Sequence, residues 1–93
     1  MSRNSYEVPG AERAMEQLKK DVMVREGFVS PDSTSENVKY EVARKLGIPL
    51  HRGDNGDLTT KQAGKVGGKI GGSMIKEMVR LAQQQMAGKN KTQ

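Results

Sequence analysis

The sequence is poor in the residues that form covalent links and aromatic cores. It has no cysteine and no tryptophan, and only two tyrosines and one phenylalanine among 93 residues. The missing cysteines exclude disulfides, thiolate metal sites and a cysteine nucleophile. A short chain without large rings buries little apolar area, so we expect marginal stability unless a partner helps to order it.

Long apolar runs are also missing. The mean hydropathy is −0.76, no stretch approaches the length that spans a membrane, and the first residues carry no apolar run of a signal peptide. We therefore expect a cytoplasmic protein with no membrane partner.

Groups of side chains that support catalysis or metal binding are scarce. The only histidine, His51, has no cysteine or second histidine with which to share a metal ion. Asp54 and Asp57 lie in a turn-forming segment that lacks the closing glutamate of a calcium loop. The glycine-rich segment near residue 68 matches neither the Walker phosphate loop nor the dinucleotide fingerprint. We expect no enzymatic activity and no cofactor.

The apolar spacing predicts helices and no strands. A first helix is predicted from Ala11 to about Glu26, ending at Gly27. A third, longer helix is predicted to begin at Thr59 or Thr60 and to run to about Ala87. The fold class is therefore all-α, with two or three helices and long polar loops.

A second, shorter helix is predicted between these two. Ser35 is its expected cap, and Val38, Val42 and Leu46 form its apolar stripe. Gly47, with a proline two residues later, is expected to end it.

Charge is distributed unevenly along the chain. Residues 1–38 contain five basic and seven acidic side chains, whereas residues 39–93 contain eleven basic and four acidic ones, within a net charge of +5. The C-terminal half is the candidate surface for a polyanion, although exposed lysines also simply keep a surface soluble.

The third helix contains an unusual combination of glycine and lysine, "GKVGGKIGG". At about 100° per residue, Lys65, Lys69, Lys76 and Arg80 fall within an arc of roughly 60°. A separate apolar face is predicted from the following residues: Met74, Ile75, Met78, Val79, Leu81 and Met86.

The glycines of this helix lie between the basic and the apolar stripes. Without Cβ atoms they permit close approach of another backbone, and the neighbouring lysines favour a nucleic acid. Each glycine also disfavours a helix by up to about 1 kcal/mol relative to alanine. We therefore predict that the helix is largely unformed until a partner orders it, and that the methionines fill gaps in a core short of aromatic rings.

Two segments resemble the signatures of the α/β-type small acid-soluble spore proteins. "KYEVARKLGI", residues 39–48, resembles the first signature, and "VGGKIGGSMIKEMVRLAQQQM", ending at Met86, resembles the second. The resemblance makes residues 36–88 the expected DNA-binding domain. Residues 1–35 are expected to form an arm with a copy of the family's first helix and a linker, and residues 89–93 a basic tail.

The resemblance implies a protein that binds double-stranded DNA without sequence preference in the core of dormant bacterial spores. Family members are similar in coating the chromosome, in pushing it toward an A-like form and in protecting it from ultraviolet light, heat and chemical damage. They resemble helix-turn-helix units that order on DNA, pair as homodimers and bind the minor groove. On germination a dedicated protease degrades them as a source of amino acids, which places the scissile bond at Glu41–Val42.

The resemblance and the basic stripe together define a predicted DNA-binding set. From the resemblance come Gly71, Gly72 and Lys76, and with them the preceding glycine and lysine residues. The full set is Lys61, Gly64, Lys65, Gly67, Gly68, Lys69, Gly71, Gly72, Lys76 and Arg80.

Some points stay open in the sequence. Arg44 and Lys45 stand where the first signature has an acidic residue, and the repeated Gly-Gly leaves two registers for the second signature. Because the first-helix pattern occurs twice, the sequence does not decide which copy packs on the glycine-rich helix. The alternative function is a helical interaction module with an acidic protein partner, and RNA binding ranks lower because stacking aromatic residues are few.

Overall fold

The computed structural model describes the backbone of residues 10–91 and the side chains of residues 10–88. It contains helix α1 (Ala11–Arg25), a single 3₁₀ turn (Ser35–Asn37), helix α2 (Val38–Lys45) and helix α3 (Thr60–Lys91). No strand occurs in the part of the chain that is described, so the predicted all-α class is confirmed. Residues 1–9 of the predicted N-terminal arm lie outside the described residues, as do the last two residues of the predicted tail.

Glycines end both short helices in the same way. Gly27 and Gly47 adopt left-handed backbone conformations, with φ values of 85° and 75°. The N–H of the next residue then bonds back into the helix: Phe28 to the carbonyl of Met23 at 2.9 Å, and Ile48 to that of Ala43 at 2.8 Å. This is the Schellman arrangement, which satisfies carbonyls left without partners at a helix end. Both predicted ends are confirmed.

Helix α3 begins with a reciprocal cap. The hydroxyl of Thr59 accepts a hydrogen bond from the N–H of Gln62, and the Gln62 side chain accepts one from the N–H of Thr59, each at 3.0 Å. This capping box explains why the helix starts at Thr60, as predicted. The far end differs from the prediction, because the helix continues past Ala87 to Lys91.

The core lies where all three helices meet. Val22 and Met23 of α1 and Val38 and Val42 of α2 are almost fully buried, and Val66 of α3 packs with them. Both copies of the first-helix pattern therefore pack on the glycine-rich helix. The buried apolar set is Val22, Met23, Val29, Val38, Val42, Ala43, Ile48 and Val66.

Two predictions about the core are wrong. Leu46 is 38% exposed, and the buried partners of Val42 are instead Ala43 and Ile48, because the turn at Gly47 folds Ile48 back onto α2. The methionines are not mainly core residues, since Met23 is fully buried while Met86 is 64% exposed.

The predicted apolar face of α3 is also outside the core. Ile75, Met78, Val79, Leu81 and Met86 are all exposed, and Met74 is only partly buried. The reason lies in residues 60–72 of the helix, on which α1 and α2 pack. The only large aliphatic side chains of this segment, Val66 and Ile70, set the rotation of the helix. That rotation buries Ser73 and Glu77 one and two turns later and turns the apolar stripe outward.

Candidate nucleic-acid interface

A bare strip of backbone runs along the solvent side of α3. The side chains that face the core are Val66, Ile70, Ser73 and Glu77. At about 100° per residue the glycines fall on the opposite side of the helix. We call this strip the bare face; it comprises Gly64, Gly67, Gly68, Gly71 and Gly72.

No described side chain or neighbouring helix packs over the Cβ positions of these glycines. A Cβ atom added at any of these positions would meet no other atom within 4 Å. Packing between the helices therefore gives no reason for glycine here. Since each glycine weakens the helix, the open strip costs stability that the folded chain does not recover.

Basic side chains follow one flank of the bare face. Lys61, Lys65 and Lys76 are exposed and form no ion pair with any residue in the range 10–88. Lys69 and Arg80 continue the same flank but have partners. We call these five side chains, Lys61, Lys65, Lys69, Lys76 and Arg80, the basic edge.

Lys69 is held by the end of α1. Its ammonium lies 3.1 Å from Oε1 of Glu26 and 4.9 Å from the centre of the Phe28 ring. Burial acts to raise the pKa of Glu26, but hydrogen bonds from Lys69 and from the buried hydroxyl of Ser73 outweigh it, and the pKa falls below its ordinary value. Glu26 is therefore ionised near neutrality and offsets the charge of Lys69.

Arg80 is held by the buried carboxylate of Glu77. Its Nε and Nη2 donate to the two oxygens of Glu77 at 2.9 and 2.7 Å, and Arg25 of α1 donates to Oε1 at 2.8 Å. The hydrogen bonds of Arg80, opposed by burial and assisted by Arg25, lower the pKa of Glu77 to about 2. The same carboxylate raises the pKa of Arg80.

Arg25 is not among the residues that the sequence pattern predicts for this surface. Arg25 and Glu77 are 52 residues apart in the chain, and no pattern within α3 points to a residue of α1. The spacing of Glu77 and Arg80 is that of a helical ion pair and was a usable signal for their contact.

The predicted protease site lies inside α2. Val42 is fully buried, and Glu41 accepts hydrogen bonds from the Ser30 N–H at 3.0 Å and from the hydroxyl of Ser33. The bond from Ser33, opposed by burial and assisted by Ser30, lowers the pKa of Glu41. Glu41 thus fastens the linker between α1 and α2, and cleavage after it requires this region to open.

Two further kinds of site, a metal cluster and a membrane-spanning helix, are absent from the described residues. Within residues 10–88, no three His, Cys, Asp or Glu side chains lie close enough to hold a metal ion. No helix in the described part of the chain is long and apolar enough to cross a membrane.

Comparison with known proteins identifies the family. A family model described as small, acid-soluble spore proteins, alpha/beta type, matches residues 4–86. The chain belongs to the α/β-type small, acid-soluble spore proteins. The match spans all three helical patterns, so α1 belongs to the family region together with α2 and most of α3.

Curated spore proteins from three genera match this chain. Small, acid-soluble spore protein 2 of Bacillus cereus is 33% identical over 90 residues, covering 97% of this chain and 95% of that protein. Small, acid-soluble spore protein beta of Paraclostridium bifermentans is 40% identical over 53 residues, covering 56% and 77%. Small, acid-soluble spore protein 1 of Clostridium perfringens is 46% identical over 48 residues, covering 52% and 72%. No solved structure matches the chain.

Proposed function

We propose that this small, acid-soluble spore protein binds double-stranded DNA without sequence preference, through the bare face and the basic edge of α3. The observation that carries the proposal is the bare face itself. It comprises five glycines on a helix surface where nothing in the described protein comes near, so their use must lie in contact with another molecule.

Duplex DNA fits both features of this surface. Lysine and arginine on the basic edge neutralise phosphates and release counterions, which gives affinity without sequence choice. The bare face lets the helix backbone approach the sugar-phosphate walls of a groove, so that binding favours a duplex geometry that admits it. A helix of an acidic protein partner would use the same lysines and glycines, and a circular dichroism titration with duplex DNA separates the two partners.

Contacts with the DNA backbone that do not depend on base sequence allow a protein to coat DNA. A protein that binds every stretch of duplex equally can cover the chromosome, and covered DNA is shielded from reactive molecules. We propose that this chain does so in the core of the dormant spore, protecting DNA against ultraviolet light, heat and chemical damage. Ordering of α3 on the DNA then offsets the cost of its glycines.

The exposed apolar residues suit a second copy of the chain. Beyond Glu77 every side chain through residue 88 is exposed, and so is Ile75, two residues before Glu77. We propose that this half of α3 supports a homodimer on DNA. On germination, release from DNA would allow α2 to open and the protease to cut at Glu41–Val42.

The test is the salt dependence of DNA affinity, measured by fluorescence anisotropy with two labelled duplexes of unrelated sequence. We expect similar Kd values for both. The slope of log K against log salt should lie between about −2.7 and −4.5 per protomer, because each neutralised phosphate contributes about −0.9 and either the three unpaired cations or all five cations of the basic edge take part. A strong preference for one duplex, or a slope near zero, would overturn the proposal.

Circular dichroism of the same titration tests ordering and partner class. A joint gain of helix and a shift of the duplex spectrum toward the A form is expected. Strictly additive spectra for protein and duplex would favour the interaction module with an acidic protein. Equal competition by unstructured RNA would favour the RNA alternative.

A further inference from the structure

A groove adjoins the basic edge at the point where α1 ends against α3. Arg25 and Glu26 line it from α1, and Ser73, Lys76 and Arg80 line it from α3, with the buried Glu77 among them. The groove therefore gathers cations from two helices. Only one of these helices carries residues of the predicted DNA-binding set.

Glu77 is the buried carboxylate that holds Arg25 and Arg80 in place. Its side chain is 8% exposed, whereas those of Arg25 and Arg80 are 55% and 49% exposed. Oε1 accepts from both arginines and Oε2 accepts from Arg80 alone. The carboxylate is thus enclosed, while the two guanidinium groups that it fixes reach solvent.

The arrangement keeps a positive charge and free donors. The groove holds three cations, Arg25, Lys76 and Arg80, and two carboxylates, Glu26 and Glu77, so a net charge of +1 remains. Arg25 gives one N–H to Glu77 and Arg80 gives two, fewer than the several donors that each guanidinium carries. Free donors at fixed positions and a net positive charge are what a phosphate group requires.

Joining α1 to α3 does not by itself explain why a charged residue, Glu77, stands at this buried position. Apolar side chains in place of Glu77 and both arginines would join α1 to α3 without the cost of removing a charge from water, and replacement of a whole buried ion pair often stabilises proteins. What the carboxylate adds is the fixed orientation of two arginines.

We propose that Arg25 and Arg80, held by Glu77, bind one backbone phosphate of the duplex beside the bare face. This inference rests on the proposed function and adds to it a contact from α1. Arg25 is then a phosphate-binding residue, and Glu77 is a positioning residue that acts through the two arginines.

The experiment compares three variants by the salt slope of duplex binding. Arg25→Gln should reduce the magnitude of the slope by about 0.9, because one phosphate is no longer neutralised, whereas Arg25→Lys should retain the wild-type slope. Arg13→Gln is the matched control, since Arg13 is exposed on the first turn of the same helix and should leave the slope unchanged.

The outcomes separate this inference from the proposed function. If Arg25→Gln weakens binding but keeps the wild-type slope, Arg25 only fastens α1 to α3 and the inference is overturned. If the wild-type protein does not bind duplex DNA with a salt-dependent affinity, the proposed function itself fails.

A second measurement needs no variant and so does not depend on folding of a mutant. Phenylglyoxal modifies accessible arginines, and mass spectrometry reports each site in wild-type protein with and without duplex. We expect DNA to protect Arg25 and Arg80 while Arg13 is modified to the same extent in both samples. Equal modification of Arg25 in both samples would overturn the inference.

Discussion

Gly68→Ala should affect the free protein and its DNA complex in opposite directions. Gly68 is exposed on the bare face, its φ is not positive, and an added Cβ would meet no atom within 4 Å. The methyl group therefore causes no clash in the free chain. Alanine is favoured over glycine in a helix by about 1 kcal/mol, which corresponds to a rise in Tm of roughly 4–8 °C for a domain of this size.

The same methyl group should weaken DNA binding. If a groove wall rests on the bare face, the methyl occupies space that the wall needs, and overpacking of a close contact costs about 1–3 kcal/mol. That cost corresponds to a five- to 150-fold increase in Kd, by about 1.4 kcal/mol per tenfold. Better helix formation before binding would offset part of it, so the net increase should fall in the lower part of this range.

Gly88→Ala is the matched control for this prediction. Gly88 is an exposed glycine of the same helix with open space around it, beyond the basic edge. It should gain helix stability without losing affinity. Thermal melts by circular dichroism and anisotropy titrations supply the two readouts. Tighter or unchanged binding by Gly68→Ala would refute the reasoning, because the bare face would then not be the surface against the duplex.

Three further predictions concern the fold. Met23→Ala should cost about 2–5 kcal/mol in denaturant unfolding because Met23 is fully buried, whereas Met15→Ala, at a 42% exposed site of the same helix, should cost under about 0.5 kcal/mol; equal costs would contradict the core assignment. The Glu77 contacts should stabilise the fold above the ordinary carboxylate pKa of 4.5 and lose this effect as pH falls toward about 2, where folded Glu77 is protonated. Thermal melts across this range should show the loss in wild type and a flatter profile in Glu77→Gln, and identical profiles would refute the assignment. A glutamate-specific protease should cut after the exposed Glu36 faster than after Glu41 in native protein and at similar rates in denaturant; faster native cleavage after Glu41 would contradict the closed state of α2.

The family, the ends of α1 and α2 and the start of α3 could be predicted from the sequence because each depends on a short stretch of chain. The two signatures are contiguous, and each cap is completed within a few residues: Phe28 to Met23, Ile48 to Ala43, and Thr59 with Gln62. Local hydrogen bonds of this kind form wherever the required residues stand at the required spacing. The glycine positions of the candidate interface could be predicted for the same reason, because they lie in one short segment.

The side of α3 that faces the core could not be predicted from the apolar pattern of α3 alone. Taken alone, the helix has its largest apolar stripe around Met78, and that stripe was the natural candidate for the core. The core instead forms around Val66 and Ile70, because α1 and α2 cover α3 only as far as Glu77. Burial there decides the rotation of the helix, including the exposed residues beyond Glu77.

The sequence by itself determined an all-α chain, the ends of its first two helices, a basic C-terminal half and membership of a spore protein family. Only the tertiary structure decided that the glycines are open to solvent, that Lys69 and Arg80 are partly neutralised, and that Arg25 joins the basic edge through Glu77. The physical reason is the range of the interactions. Caps and helix periodicity act within a few residues, whereas the facing of a helix and the partners of its charges depend on packing between residues as far apart as Arg25 and Glu77.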